Sequence, residues 1–223
     1  MSRAVIFDID GVLVDSHEAH FESWQRLAQE TGHEMTREAF AKTFGRTSRD
    51  IIALLFDDDL TDDAIATLDD RKELLYRTII SESFPAMPHA ALLVTTLADD
   101  GWQIAAGSSA SPENVMLTLK LLGVGDRFHC AVTGMDVTHG KPDPEVFLTA
   151  AQRMSCAPET CAVIEDAAPG IVAAKAAGMA AVGFASHGRT VKELADAGAD
   201  VVIESLEEVT SPWLEKLIDR LQS

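Results

Sequence analysis

Two carboxylates stand two residues apart at Asp8 and Asp10, in the stretch Phe7-Asp8-Ile9-Asp10-Gly11-Val12-Leu13-Val14-Asp15-Ser16. Side chains at i and i+2 of an extended segment point to the same side, so the two acids share one small volume. Like charges that close repel. Either a hard divalent cation with oxygen ligands or a shared proton can compensate them. A second acidic pair, Glu165-Asp166, ends another apolar run and needs a partner for the same reason. Helix capping would account for Asp166 but not for both acids. Ser108 and Ser109 lie in Gly107-Ser108-Ser109-Ala110-Ser111, where hydroxyls and free N–H groups make either a phosphate cradle or a Ser-rich helix cap. Lys141 belongs to His139-Gly140-Lys141-Pro142-Asp143-Pro144-Glu145. Pro142 biases it away from helix, and Pro144 suits a first helical turn. By itself Lys141 reads more readily as a solvated surface lysine.

These residues need a frame that brings strand ends together. Ala4-Val5-Ile6-Phe7 is a continuous apolar run closed by Gly11 and reads as a buried parallel strand. Further strands are expected at 103–106, 130–133, 161–164, 180–184 and 201–203. Helices are expected at 90–99, 112–122, 143–154, 168–177, 191–197 and 211–221. Such alternation means βαβ units and a parallel sheet, with ligands taken at the carboxyl ends of the strands. Residues from about 16 to 86 differ. They carry helical spacing at 17–31, 35–44, 48–56 and 61–81, with Ser16 as an expected N-cap, and no convincing strand. This stretch is expected to be a helical insert. Phe44-Gly45-Arg46-Thr47 and the acidic run Asp57-Asp58-Asp59 read as polar loops.

The totals narrow the classes. A chain of 223 residues can bury a sizeable core, and 47% hydrophobic with 24% charged residues is ordinary for a globular protein. The net charge of −18 argues against a nucleic-acid partner. An anionic substrate would need a locally positive site. Cys130, Cys156 and Cys161 include no CxxC pair and read as core thiols of a reducing compartment. The first strand begins almost at once and no apolar run is long enough to span a bilayer. No signal peptide and no membrane partner are therefore expected, and the location is read as cytoplasmic.

The four motifs, in their order, resemble those of the haloacid dehalogenase superfamily over essentially the whole chain, Phe7 to Phe184, most closely its β-phosphoglucomutase-like and phosphoglycolate phosphatase-like members. The resemblance implies an α/β fold: a Rossmann-like parallel sheet core, residues 1–15 and 87–223, with an inserted small helical cap domain, residues 16–86. It implies Mg²⁺ as cofactor, held by Asp8, Asp166, Glu165 and the backbone carbonyl of Asp10. Asp8 would be the nucleophile forming an aspartyl-phosphate, and Asp10 the acid and base. Ser108, Ser109 and Lys141 would bind the phosphoryl group. His20, Trp24, Arg46, Arg49 and Lys72 would be substrate-binding residues of the cap. His89 stands where the family usually has glycine.

A second Asp and an acidic pair favour phosphoryl transfer over dehalogenation. The expected activity is a Mg²⁺-dependent phosphatase of small phosphorylated metabolites, acting as a monomer. A β-phosphoglucomutase-type mutase is the alternative. A non-catalytic phospho-acceptor signalling module shares the acidic pocket but fits a cap-sized insert poorly. Dinucleotide binding fits worse, because the first strand leads to carboxylates and no GxGxxG.

Overall fold

The computed structural model describes residues 2–43, 48–56, 60–186 and 188–222. Phe44-Gly45-Arg46-Thr47 and Asp57-Asp58-Asp59, read above as loops, lie outside the described residues. The chain divides into two compact units, Met1–Asp15 with Ala86–Ser223, and Ser16–Pro85.

The first unit is built on a six-stranded parallel sheet. Its strands are β1 (Ala4–Phe7), β2 (Gln103–Gly107), β3 (Cys130–Val132), β4 (Cys161–Glu165), β5 (Ala180–Phe184) and β6 (Val201–Ile203). Their order is β3-β2-β1-β4-β5-β6, with β1 paired in register to both β2 and β4. Every residue of β1 is fully buried. A central strand covered on both faces must be apolar throughout, which is why it shows no alternation. The chain winds outward through β2 and β3 on one side, then through β4, β5 and β6 on the other. The crevice where this direction reverses, between β1 and β4, is where doubly wound sheets take ligands.

Helices α5 (Ala90–Asp99), α6 (Pro112–Leu122), α7 (Glu145–Arg153), α8 (Ala168–Ala176), α9 (Val191–Asp196) and α10 (Ser211–Gln222) alternate with these strands. Phe147, Ala150 and Ala151 of α7 and Ile171, Ala173 and Ala174 of α8 join Ile6, Ala105 and Val163 of the sheet in one apolar cluster. Ser111 accepts a hydrogen bond from the Asn114 N–H and, with Pro112 behind it, sets the start of α6. Helix α7 starts two residues later than the pattern suggested. The Asp143 carboxylate accepts from the Glu145 N–H, and Pro144 becomes the capping position. Cys156 and Cys161 are buried free thiols, and burial pushes Cys161 up to about 12.

The second unit is helical: α1 (His17–Glu30), α2 (Arg37–Ala41), α3 (Ser48–Phe56) and α4 (Asp62–Glu82). Phe21, Trp24, Leu27 and Ala28 face one side of α1 and pack with Phe40, Ile52 and Leu75. Thr36 and Thr61 cap α2 and α4 through their hydroxyls. Ser16 does not do this for α1. Its backbone is already in the helical region, and only its carbonyl takes part, accepting from the His20 N–H. No helix of the described residues is long and apolar enough to cross a membrane.

Candidate active site

The turn after β1 sets the first part of the site. Ile9 is buried, and its carbonyl accepts from the Leu13 and Val14 N–H groups, so the chain folds back at once. Gly11 takes φ +80°, a conformation that side chains disfavour. Its missing side chain matters more. A β-carbon there would lie 2.3 Å from Oδ2 of Asp166. The two acidic motifs thus meet because backbone, not side chain, faces Asp166.

β4 ends in that second motif. Asp8, Glu165 and Asp166 each offer an oxygen within 4.8 Å of the others. Lys141 supplies the counter-charge: its Nζ donates to Oδ1 of Asp8 at 2.9 Å and to Oε1 of Glu165 at 2.7 Å. The other Glu165 oxygen accepts from the Ala167 N–H at 2.8 Å. Asp166 is not the cap of α8; the capping position is Ala167, which has no side-chain hydrogen bond.

Three carboxylates with one ammonium leave an excess of negative charge in a buried place. Burial pushes Asp8 up to about 7, with Glu165 and Asp10 adding to the rise and Lys141 opposing it. Asp166 is raised well above the ordinary carboxylate range by burial, and further by Glu165 and Asp8. Burial opposes the charge on Lys141, yet Asp8 and Glu165 together leave it more strongly protonated than a free lysine. Burial and like charges thus favour the protonated forms of Asp8 and Asp166, and a bound cation would favour their ionised forms.

The phosphate-cradle candidate follows β2. Ser108 is buried, its N–H donates to the Val132 carbonyl, and its Oγ accepts from the Ala110 N–H at 3.1 Å. The hydroxyl proton is then directed to some other acceptor. Ser109 is exposed. A β-carbon at Gly134 would lie 2.6 Å from the Ser109 carbonyl, so that glycine lets the loop after β3 approach the cradle.

A model of the haloacid dehalogenase-like hydrolase family matches residues 2–178. The chain belongs to that family. Over 221 residues it is 34% identical to a β-phosphoglucomutase of Bacillus subtilis strain 168, covering 96% of this chain and 94% of that protein. It is 28% identical over 203 residues to a phosphorylated carbohydrates phosphatase of Thermotoga maritima, covering 91% and 94%. Among solved structures, a family IA, variant 3 HAD hydrolase from Entamoeba histolytica superposes with a TM-score of 0.88 at 26% identity, covering 98% of this chain and all of that one. The Rossmann-like sheet is the fold of such hydrolases.

Within this haloacid dehalogenase-like hydrolase, the motifs of Asp8, Lys141 and Glu165-Asp166 meet in contact, and the Ser108 turn stands at the end of β2, the strand paired with β1. The helical unit holds a separate group. Lys72 is buried; its Nζ is 2.7 Å from Glu73 and 3.1 Å from His20 Nδ1, and it lies over the Trp24 and Tyr76 rings. His20 stacks on Tyr76 with ring centres 4.1 Å apart. Trp24 is buried in the apolar cluster of that unit. Arg49 is exposed and paired with Asp62. Arg46 lies outside the described residues.

Three features had no role in the sequence reading. Glu145 accepts from the N–H groups of Thr138 and His139 and so shapes the loop that carries Lys141. Arg189 Nε lies 3.5 Å from Oδ2 of Asp166. Neither could be picked out from chain position, since both act on residues brought near by folding or by a loop closure. His89 has φ 65° at the start of α5 and pairs with Glu207 at 2.6 Å. Its left-handed backbone is the conformation glycine adopts without cost, so a glycine would suit this position better than histidine.

Proposed function

We propose that this chain is a Mg²⁺-dependent phosphatase of small phosphorylated metabolites, sugar phosphates or short phosphorylated acids, working through an aspartyl-phosphate on Asp8. The observation that carries the reading is Asp8 itself, a buried carboxylate held at 2.9 Å by Lys141 inside a cluster of acids. The donor set suits Mg²⁺, being oxygen only, and the space beside Asp166 is kept open by Gly11. Asp8, Glu165 and Asp166, with the Asp10 carbonyl, would hold the ion. When bound it supplies the positive charge that keeps Asp8 ionised and offsets the phosphoryl oxygens.

Lys141 orients the Asp8 carboxylate through Oδ1. Asp8 attacks phosphorus, and the ester P–O bond breaks on the opposite side. Asp10 gives its proton to the leaving oxygen. It then takes one from a water, which attacks phosphorus and breaks the bond to Asp8, releasing inorganic phosphate. The Ser108 hydroxyl, the backbone N–H groups of its loop and Lys141 hold the charge on the equatorial oxygens. The helical unit, residues 16–86, is assigned the role of a cap that selects the substrate, with His20, Trp24, Arg49 and Lys72 as its binding residues. The partner is a small phosphorylated metabolite, the chain a monomer of the cytoplasm.

The test is phosphate release across a panel of phosphorylated sugars and short acids, with Mg²⁺ or with EDTA, for the wild type and Asp8→Asn. Mg²⁺-dependent release that Asp8→Asn loses is the expected result; no release from any substrate would overturn it. The 34% identity to a β-phosphoglucomutase supports a second reading, a sugar phosphate mutase. Isomerisation of β-glucose 1-phosphate that depends on added glucose 1,6-bisphosphate would decide for it.

A further inference from the structure

The loop between β5 and α9 contributes to the same site from a direction that no motif marks. Its Ser186 is buried, and the Ser186 hydroxyl donates to the Gly11 carbonyl at 2.8 Å. The Arg189 N–H donates to the Ser186 carbonyl at 2.9 Å, so the turn carrying Arg189 is pinned to the turn after β1. From there the Arg189 guanidinium reaches Asp166, with Nε 3.5 Å from Oδ2. That Oδ2 is the atom a β-carbon at Gly11 would strike. One oxygen of Asp166 thus faces the Gly11 backbone and the Arg189 cation together. Glu193 of α9, well exposed, is a further acid near Arg189, 3.9 Å away.

We propose that Arg189 is a positioning residue of the metal site, the resident counter-charge of Asp166, and that it sets how tightly the site takes a dication. The inference rests on the metal-site reading above. Lys141 pairs with Asp8 and Glu165 but not with Asp166, Asp10 adds further negative charge beside Asp8, and a dication would offset these acids. Arg189 adds one more positive charge, placed beside Asp166. It therefore holds Asp166 in place before a cation arrives, repels the cation once bound, and leaves the loaded site more attractive to an anion. At 3.5 Å the pair is looser than a charged hydrogen bond, so the guanidinium can stay near while the carboxylate changes partner.

The experiment is Mn²⁺ binding to the wild type, Arg189→Gln, Arg189→Lys and Asp166→Asn, followed by calorimetry and by the electron paramagnetic resonance signal of free Mn²⁺. Inorganic phosphate is then titrated into each Mn²⁺-loaded protein. Arg189→Gln is expected to bind Mn²⁺ about threefold to tenfold more tightly, the effect of one partly exposed charge near a dication, and to bind phosphate more weakly by a similar factor. Arg189→Lys keeps the charge and stays within about twofold of the wild type. A merely loosened site would weaken both ligands, so opposite signs identify the charge effect. Mn²⁺ affinity unchanged or weakened in Arg189→Gln overturns the proposal. A wild type that binds Mn²⁺ no better than Asp166→Asn overturns the metal-site reading beneath it.

Discussion

The Glu165 carboxylate occupies the space that a side chain at Gly170 would need. A β-carbon there would lie 1.7 Å from Oε1 and 2.0 Å from Cδ. Gly170 is in helix α8 with ordinary backbone angles, so its role is room and not conformation. Without that room Glu165 could not reach both Lys141 and the Ala167 N–H. Gly170→Ala is expected to cost about 2–4 kcal/mol, from overpacking and broken buried hydrogen bonds, and to lower turnover. Urea denaturation checks it. A loss below about 0.5 kcal/mol, the size of an ordinary surface change, would mean the helix shifts freely.

Lys141 is the ammonium that Asp8 and Glu165 share, and its side chain is 8% exposed. Lys141→Met removes it and leaves two buried carboxylates uncompensated. The expected loss is about 3–5 kcal/mol in metal-free buffer. Adding Asp8→Asn to this variant should restore part of that, since one of the stranded charges is gone. Strict additivity of the two substitutions would show that they do not interact.

Asp8→Asn keeps the shape of the side chain and removes its charge and its nucleophilicity. Phosphate release should fall by at least about a thousandfold. Thermal unfolding in EDTA should move up, because repulsion with Glu165 and Asp166 is relieved. A melting temperature that falls together with activity would point to structural damage.

The raised Asp8 makes cation binding depend on pH. Its carboxyl moves from 3.8 to about 7, so the metal-free folded state holds a proton that the unfolded chain gives up. The stability from that carboxyl is present below about pH 4 and is lost as pH rises towards 7. A dication must displace the proton, so its affinity should climb with pH by up to about tenfold per unit below 7 and level off above. Titrations with Mn²⁺ between pH 5 and 8 give the profile, and a flat one would contradict the protonated state of Asp8.

Lys72 separates a substrate contact from a packing role in the helical unit. It lies within hydrogen-bond reach of Glu73 and His20 and over two aromatic rings. If Lys72 or the His20 it touches binds substrate, Lys72→Met should raise KM by about tenfold or more with a smaller change in kcat. An unchanged KM with a lower melting temperature would leave Lys72 to packing alone.

The sequence by itself determined the sheet and the run of helices after β1, and it marked the residues proposed for the site. β1 was legible because a strand buried on both faces must be apolar throughout. Asp8, Asp10, Ser108, Lys141, Glu165 and Asp166 stood out because charged or hydroxyl residues at strand ends, in a fixed order, resemble one family. Helix starts were less legible. At Ser16 a residue that suits a cap was used only through its carbonyl, and at α7 the Asp143 carboxylate moved the boundary. Only the tertiary structure decided which atoms meet. The Lys141 ammonium reaches two carboxylates, Asp8 after β1 and Glu165 at the end of β4, that lie far apart in the chain. Gly11 and Gly170 serve by leaving space that Asp166 and Glu165 fill, and a missing side chain carries no pattern. Arg189 is one arginine among many in the chain, and it acquires its place opposite Asp166 because Ser186 ties its turn to Gly11. Periodicity reports what a residue's own element buries; it says nothing of which charge another element will bring against it.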